Sequence, residues 1–378
     1  MEHSVSQHSR KVVIKIGSST LTTSESSIDY AYLEQLSKQV ALVKQQGWQP
    51  VIVTSAAIAC GLEALGIKKR PSDMPSLQAA ASVGQSALQA AYARAFEPFG
   101  ITTSTVLLTR RDTADRKAYL HAHDTLLRLL DLGVVPIVNE NDTVSVEQIR
   151  FGDNDTLAAL TACLIEADLM IILSDIDGLY TDNPAINPNA TLIEQVDKIG
   201  PEILSIAGGA GSTVGSGGMI TKIKAARVLM AAGIPMVICH GRTPNNIVDI
   251  CVGDSVGTRF VAAQKPHEIT AKKLWLALGD AARGSLVVDD GAKEALVAHG
   301  KSLLCVGVKQ VEGIFDAGDI VDIKDSTGHV FARGKITAQS DEVELACGYD
   351  REALRSNRIL SHLADRSLVH RDDLIVFE

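Results

Sequence analysis

From residue 11 to about residue 261, short β-branched and apolar runs alternate with longer segments of helical period. This rhythm commits the region to stacked βα units around a mainly parallel sheet, an α/β architecture sandwiched by helices. Six runs fit strands apolar enough to be buried on both faces: 11–16, 50–54, 103–108, 134–138, 169–173 and 236–239. Between them lie amphipathic segments such as 30–46, where Leu33, Leu36, Val40 and Val43 recur at three- and four-residue steps behind Asp29, a natural helix cap. After Phe260 the pattern changes. Residues 262–274 are polar, contain Pro266 and read as a linker. Short alternating strands follow, with turn signals at Asp289-Asp290-Gly291, Asp316-Ala317-Gly318 and Ser326-Thr327-Gly328. The expected organisation is a flexible N-terminus (1–9), a large α/β domain (10–261), the linker, a small β-rich domain (275–355) and a tail (356–378). In that tail Leu374, Val376 and Phe377 could supply one more strand.

A chain of 378 residues exceeds the size at which one hydrophobic core stops growing, and 46% apolar residues are ample for two interiors. The N-terminal nine residues are polar, and no apolar stretch approaches the roughly twenty residues of a membrane helix, so a cytoplasmic protein is expected. Cys60, Cys163, Cys239, Cys251, Cys305 and Cys347 are scattered without metal-ligand spacing and read as buried free thiols. A formal charge of -9 gives no long-range attraction for nucleic acid or anionic lipid, so an anionic ligand must be held by local lysines and backbone amides.

Several loops offer such groups. The first strand ends in KVVIKIGSST, so Lys15 stands at the strand terminus before Gly17, where doubly wound sheets bind ligands. Gly17 lets backbone amides approach a phosphate while Lys15 neutralises charge, although a lysine followed by Gly-Ser also suits an ordinary strand end. The second strand runs into VIVTSAAIACG, where Ser55 either caps a helix over 56–65, contacts a bound carboxylate near the helix's positive end, or does both. The stretch VPIVNENDTVSVEQIRFGDNDTLAAL sets Asn139, Glu140, Asn141 and Asp142 after one buried strand, and Gly152, Asp153, Asn154 and Asp155 before an apolar helix beginning near Thr156. One Asx-rich loop is an ordinary turn. Two such loops at one sheet edge suit an amino acid: Asp142 and Asn154 match its ammonium and carboxylate, and Asp155 can orient lysines. The segment LMIILSDIDGLYTDNP ends a strand at Ser174 and Asp175, polar groups that suit a nucleotide rim. Finally, a glycine-rich segment, 208–218, precedes a helix with Lys222 in its first turn, which is either a phosphate site or a surface loop. The segment lacks P-loop spacing, and its glycine pairs do not make a dinucleotide fingerprint, the second of which argues against hydride chemistry.

Taken together, VVIKIGSS, IVTSAAIACG, VPIVNENDTVS, FGDNDTL, SDIDGLYTDNP and GSGGMITKIKAA resemble the amino-acid kinase family in its own order, over nearly the whole chain. The NEND and GDND pair resembles the members acting on the side-chain carboxylate of glutamate, rather than those acting on acetylglutamate, aspartate, carbamate or uridylate. From Trp275 to Arg355, GSLVVDDGAKEAL, SLLCVGVKQVEG, GDIVDI and FARGK resemble a PUA domain. The resemblance implies ATP-dependent formation of L-glutamyl 5-phosphate at the start of proline biosynthesis. By position it implies Lys15 and Lys222 flanking the transferred group, with Asp155 holding both lysines. Ser55, Asp142 and Asn154 would bind glutamate. Lys15, Ser174, Asp175 and the run Ser216, Gly217, Gly218, Met219, Ile220, Thr221 and Lys222 would bind ATP. It further implies Mg2+ held mainly through ATP phosphates with no protein metal cage, feedback inhibition by proline at a site overlapping that of glutamate, a homo-oligomer, and hand-off of the product to glutamyl-phosphate reductase. One position departs from the pattern: the family's Thr-Ser-Gly-Ala reads Thr-Ser-Ala-Ala here, with Ala56 at the glycine. A positive φ there would strain the alanine, and a negative φ would change little.

Two other readings compete. A relative acting on a different acyl or phosphate acceptor would share the sheet and lysines. An RNA-binding protein would act through the PUA-like domain, but residues 275–355 carry nine Lys and Arg against fourteen Asp and Glu, the wrong sign for tracking phosphates.

Overall fold

The computed structural model describes residues 9–23, 27–109, 112, 115–144, 154–208, 218–262, 273, 276–277 and 282–377. Its contacts divide the chain into two compact units, Met1–Pro266 and His267–Glu378. In chain order the first carries β1 (Arg10–Ile16), α1 (Ser18–Leu21), α2 (Tyr30–Gln45), β2 (Trp48–Val53), α3 (Ala57–Ala64), α4 (Met74–Phe96), β3 (Thr103–Leu108), α5 (Arg116–Asp131), β4 (Val135–Glu140), α6 (Asn154–Leu164), β5 (Leu169–Ser174), β6 (Gln195–Val196), α7 (Pro201–Ala207), α8 (Met219–Ala231), β7 (Met236–His240), α9 (Asn246–Val252) and β8 (Thr258–Phe260).

These strands form one sheet in the order β3-β4-β2-β1-β5-β7-β8-β6. β1 pairs in parallel with β2 and β5, β4 in parallel with β2 and β3, and β5 in parallel with β7, whereas β8 runs antiparallel to β7. Six strand C-termini therefore point to one edge. The chain crosses from one side of β1 to the other between β4 and β5, which makes the C-terminal end of β1 the topological switch point where open α/β sheets bind ligands.

The predicted strands are present with ends shifted by up to two residues. One differs in character: β3 is an edge strand, half-exposed along most of its length rather than buried on both faces. Having no neighbour beyond it, it tolerates Thr103, Ser104 and Thr105. α2 is capped as expected, the Asp29 carboxylate accepting from the Tyr32 amide at 3.0 Å. Strand alternation then divides β1 between two cores. Val12, Ile14 and Ile16 join Leu33, Leu36 and Val40 of α2 and Leu88 and Tyr92 of α4. Val13 and Lys15 point to the opposite face, where α6 packs on β1 and α8 packs on α6. Burial of each large aliphatic side chain contributes about 1.5–3 kcal/mol, so this double-sided core anchors the strand from which Lys15 projects.

The second unit contains β9 (Gly284–Val288), α10 (Asp290–Val297), β10 (Val308–Gly313), β11 (Ile320–Lys324), β12 (Val330–Ile336), α11 (Ser340–Ala346), α12 (Arg351–Ser356) and β13 (Val369–Val376). Its sheet order is β10-β9-β11-β12-β13, antiparallel except for the β9 and β11 pair. The Asp289-Asp290-Gly291 signal proves to be a helix start: the Asp289 carboxylate accepts from the Ala292 amide and caps α10. The other two signals are turns, with Gly318 and Gly328 at positive φ. The C-terminal segment 369–376 is a strand of this sheet, beside β12.

Candidate active site

The strand C-termini bring together groups that are distant in sequence. Lys15 lies on the face of β1 covered by α6, and the first turn of α6 presents Asp155 to it: Lys15 Nζ and Asp155 Oδ1 are 2.6 Å apart. Lys222, in the first turn of α8, reaches the other carboxylate oxygen at 3.1 Å. The Thr221 hydroxyl also donates to Asp155 Oδ2, at 2.9 Å. All three charged residues are nearly sealed from solvent, with Lys15 4%, Asp155 0% and Lys222 6% exposed. Two buried ammonium groups repel each other, and the carboxylate between them makes the cluster tolerable. The trio keeps one net positive charge at the switch point of the sheet, an arrangement complementary to an anion in which charge builds up.

Beside this cluster a hydrogen-bonded chain links β2, β4 and α6. The Asn154 side-chain amide donates to the Thr54 carbonyl, to Ser55 Oγ at 2.8 Å and to Asn139 Oδ1 at 3.1 Å. Asn139 is buried and donates in turn to Gln85 Oε1 of α4 at 2.9 Å. A narrow cleft lined by Ala57, Gln85, Glu140 and Asp142 opens next to it. The helix after β2 departs from expectation. Ser55 does not cap it: α3 starts at Ala57, its N-cap is Ala56 with no side-chain cap, and the Ser55 hydroxyl accepts from Asn154 instead. α6 begins at Asn154, two residues before the expected start near Thr156, so Asn154 and Asp155 belong to the helix's first turn and are fixed by it.

Ala56 adopts φ 78° and ψ 5°, the left-handed conformation. Of the two alternatives left open by its sequence position, the strained one is realised. An alanine there costs about 1–2 kcal/mol relative to glycine.

Ser174 ends β5, next to β1, and Asp175 follows it. Ser174 is buried and its hydroxyl donates to Asp175 Oδ1 at 3.1 Å, while Asp175 itself is exposed. Gly218 caps α8 and its carbonyl accepts the Thr221 hydroxyl at 2.7 Å. Met219 and Ile220 complete that first turn. Ser216 and Gly217, with residues 209–215, lie outside the described residues, as do Gly152 and Asp153. Among the described residues no group of three or more His, Cys, Asp or Glu side chains is placed to hold a metal ion. Two members of the site escaped the sequence reading of roles: Asn139, noted only as part of its loop, and Gln85, not singled out at all.

The pattern of the Amino acid kinase family matches residues 10–240, the span that supplies every element of this site. The chain belongs to the amino acid kinase family. The PUA domain pattern matches residues 284–358, within the second unit. A protein named Glutamate 5-kinase from Caldanaerobacter subterraneus subsp. tengcongensis is 43% identical over 368 residues, spanning 97% of this chain and 98% of its own. One of the same name from Burkholderia multivorans is 43% identical over 373 residues, 99% of each chain. Among solved structures, carbamate kinase from Giardia lamblia bound to AMP-PNP superposes with a TM-score of 0.52 at 18% identity, covering 68% of this chain and 99% of that one. That likeness concerns the fold of an amino acid kinase domain. No helix among the described residues is long and apolar enough to cross a membrane.

Proposed function

We propose that this chain is a glutamate 5-kinase, moving the terminal phosphoryl group of ATP to the side-chain carboxylate of L-glutamate to give L-glutamyl 5-phosphate, the first step of proline biosynthesis. The observation that carries the chemistry is the buried Lys15, Asp155 and Lys222 cluster; the choice of acceptor rests on relatives 43% identical over nearly the whole chain.

The nucleophile needs no general base, because a glutamate side chain with a pKa near 4.3 is ionised at neutral pH. One carboxylate oxygen forms a bond to the γ-phosphorus while the bond from phosphorus to the β,γ-bridging oxygen breaks, and ADP departs with that electron pair. The protein's task is positioning and charge neutralisation. Lys15 and Lys222 stabilise the oxygens of the transferring group from two sides, and Asp155 aims both ammonium groups. Ser55, Asp142 and Asn154 bind glutamate. Ser174, Asp175 and residues 216–222 bind ATP, with the first turn of α8 directing amides at phosphate oxygens.

Both oxygens of Asp155 already meet lysines, so the donor set fits a divalent cation held by the nucleotide phosphates and water rather than by a protein cage. Mg2+ bound in this way would supply further neutralisation of phosphate charge. Proline fits as a feedback inhibitor at the glutamate site because it carries the same ammonium and carboxylate pair on its α-carbon. A homo-oligomer, a cytoplasmic location and hand-off to glutamyl-phosphate reductase complete the reading.

The test is hydroxylamine trapping with ATP and Mg2+. Glutamate is expected to yield the hydroxamate, with aspartate, acetylglutamate and carbamate giving little product. Absence of glutamyl hydroxamate, or a faster reaction with another acceptor, would assign the chain to a different member of the family.

A further inference from the structure

The amides beside the lysine cluster have a direction. The two ends of a side-chain amide have the same shape, so its orientation is set by what each end meets. The Thr54 carbonyl can only accept, and it therefore fixes the Asn154 NH2 group toward itself, Ser55 and Asn139. Asn139 must then present its oxygen to Asn154 and its NH2 group to the next residue. That residue is Gln85, which accepts through Oε1 at 2.9 Å. The Gln85 NH2 group is thereby turned away from the chain. It is buried and has no hydrogen-bond partner among the described residues, and Gln85 forms part of the wall of the cleft that also holds Asp142 and Glu140.

Such a donor is costly to leave unpaired, and its position is imposed by packing. The preceding residue, Gly84, lies so close to α3 that a Cβ there would sit 1.8 Å from the Ala57 carbonyl oxygen. Ala57 lines the same cleft. α4 is thus held against the start of α3, with Gln85 and Ala57 on the wall of one cleft.

We propose that Gln85 is a substrate-binding residue, its Nε2 donating to the α-carboxylate of the amino-acid acceptor. This rests on the proposed glutamate reading. The ammonium and carboxylate of an α-amino acid share one carbon, so their partners must stand close together. Asp142 supplies the negative partner for the ammonium. Two carboxylates on the cleft wall would repel the substrate's own carboxylate unless a donor faces it, and a neutral amide provides one without a positive charge that would pair with Asp142 or Glu140.

Two substitutions separate this role from a merely supporting one. Gln85→Glu keeps an oxygen to accept from Asn139 and replaces the donor with an acceptor, whereas Gln85→Leu removes both. If Nε2 binds substrate, Gln85→Glu raises the KM for glutamate by tenfold or more and by more than Gln85→Leu does, the scale of one hydrogen bond to a charged group. The KM for ATP stays within twofold in both. If Gln85 serves only to orient Asn139, Gln85→Glu behaves like the wild type and Gln85→Leu is the impaired variant, which overturns the proposal. An unchanged glutamate KM in Gln85→Leu overturns it as well, so this variant keeps the proposal falsifiable if Gln85→Glu does not fold. A wild-type protein that makes no glutamyl phosphate would instead reject the parent reading.

Discussion

Ala56 carries the most local strain in the site, and its cause is a single methyl group. At φ 78° the Cβ crowds the following carbonyl, and nothing in the described hydrogen bonding removes that cost, since the residue caps α3 without a side-chain partner. Ala56→Gly is expected to stabilise the protein by about 1 kcal/mol, visible as a higher urea midpoint at unchanged slope. Asp155 presents the opposite case. Replacing it with Asn leaves two nearly buried lysines without their shared counter-charge, so Asp155→Asn should cost about 3–5 kcal/mol of stability in addition to activity. Lys222→Met removes one of the two like charges and should unfold near the wild-type denaturant concentration while turnover falls by orders of magnitude. Equal stability losses in the two variants would contradict the view that Asp155 is the keystone of the cluster.

At the scale of elements, α3 and α4 meet through glycines. A Cβ on Gly61 would lie 1.7 Å from the Ala80 carbonyl oxygen, as tight as the approach at Gly84. Gly84→Ala should therefore force the helices apart, costing about 1–3 kcal/mol or more, and should raise the KM for glutamate by displacing Gln85; thermal unfolding and kinetics of the one variant report both. In the second unit the β11–β12 hairpin is tied by Asp325, which accepts from Lys293 Nζ, the Thr327 amide and hydroxyl, and the His329 amide. Burial opposes its ionisation, but these donors outweigh burial and hold its carboxyl well below the ordinary 3.8. A carboxyl depressed on folding stabilises above its unfolded pKa and ceases to do so as pH falls through the folded one. Asp325→Asn should thus cost about 1–3 kcal/mol at pH 7, and the difference from wild type should shrink steadily below about pH 4 in a denaturation series.

Across the whole molecule, four of the six thiols expected to be buried are so, in both units, whereas Cys163 and Cys347 are partly exposed. Burial pushes Cys60 up to about 11 and Cys239 and Cys251 up to about 12 in the first unit, and Cys305 up to about 11 in the second. With almost no thiolate at neutral pH, these cysteines should resist iodoacetamide at pH 7.5 in the folded protein and react promptly in urea, as read by peptide mass spectrometry.

Much of this architecture was legible in the chain. Long apolar runs must be buried whatever their neighbours, so the six long strands and the α/β class follow from periodicity alone. β3 misled because an edge and a centre differ only in what lies alongside. The charged and Asx residues at strand ends were visible too, since polar groups there have few structural uses that would call for so many. Gln85 was not. It lies on the buried stripe of α4, four residues after Ala81 and three before Leu88, and a polar residue on such a stripe is the one signal that could have marked it.

By itself the sequence determined the six long strands of the sheet and which residue types arrive at its C-terminal edge, because hydrophobic period and strand polarity are properties of the local chain; β6 and β8, of two and three residues, are too short to show a period. Only the tertiary structure decided that Asp155 stands between Lys15 and Lys222, that Ala56 takes a positive φ, and that the amides from Thr54 to Gln85 point one way. Each depends on atoms separated by tens to hundreds of residues, and the close packing that fixes their distances exists only once the core has closed around them.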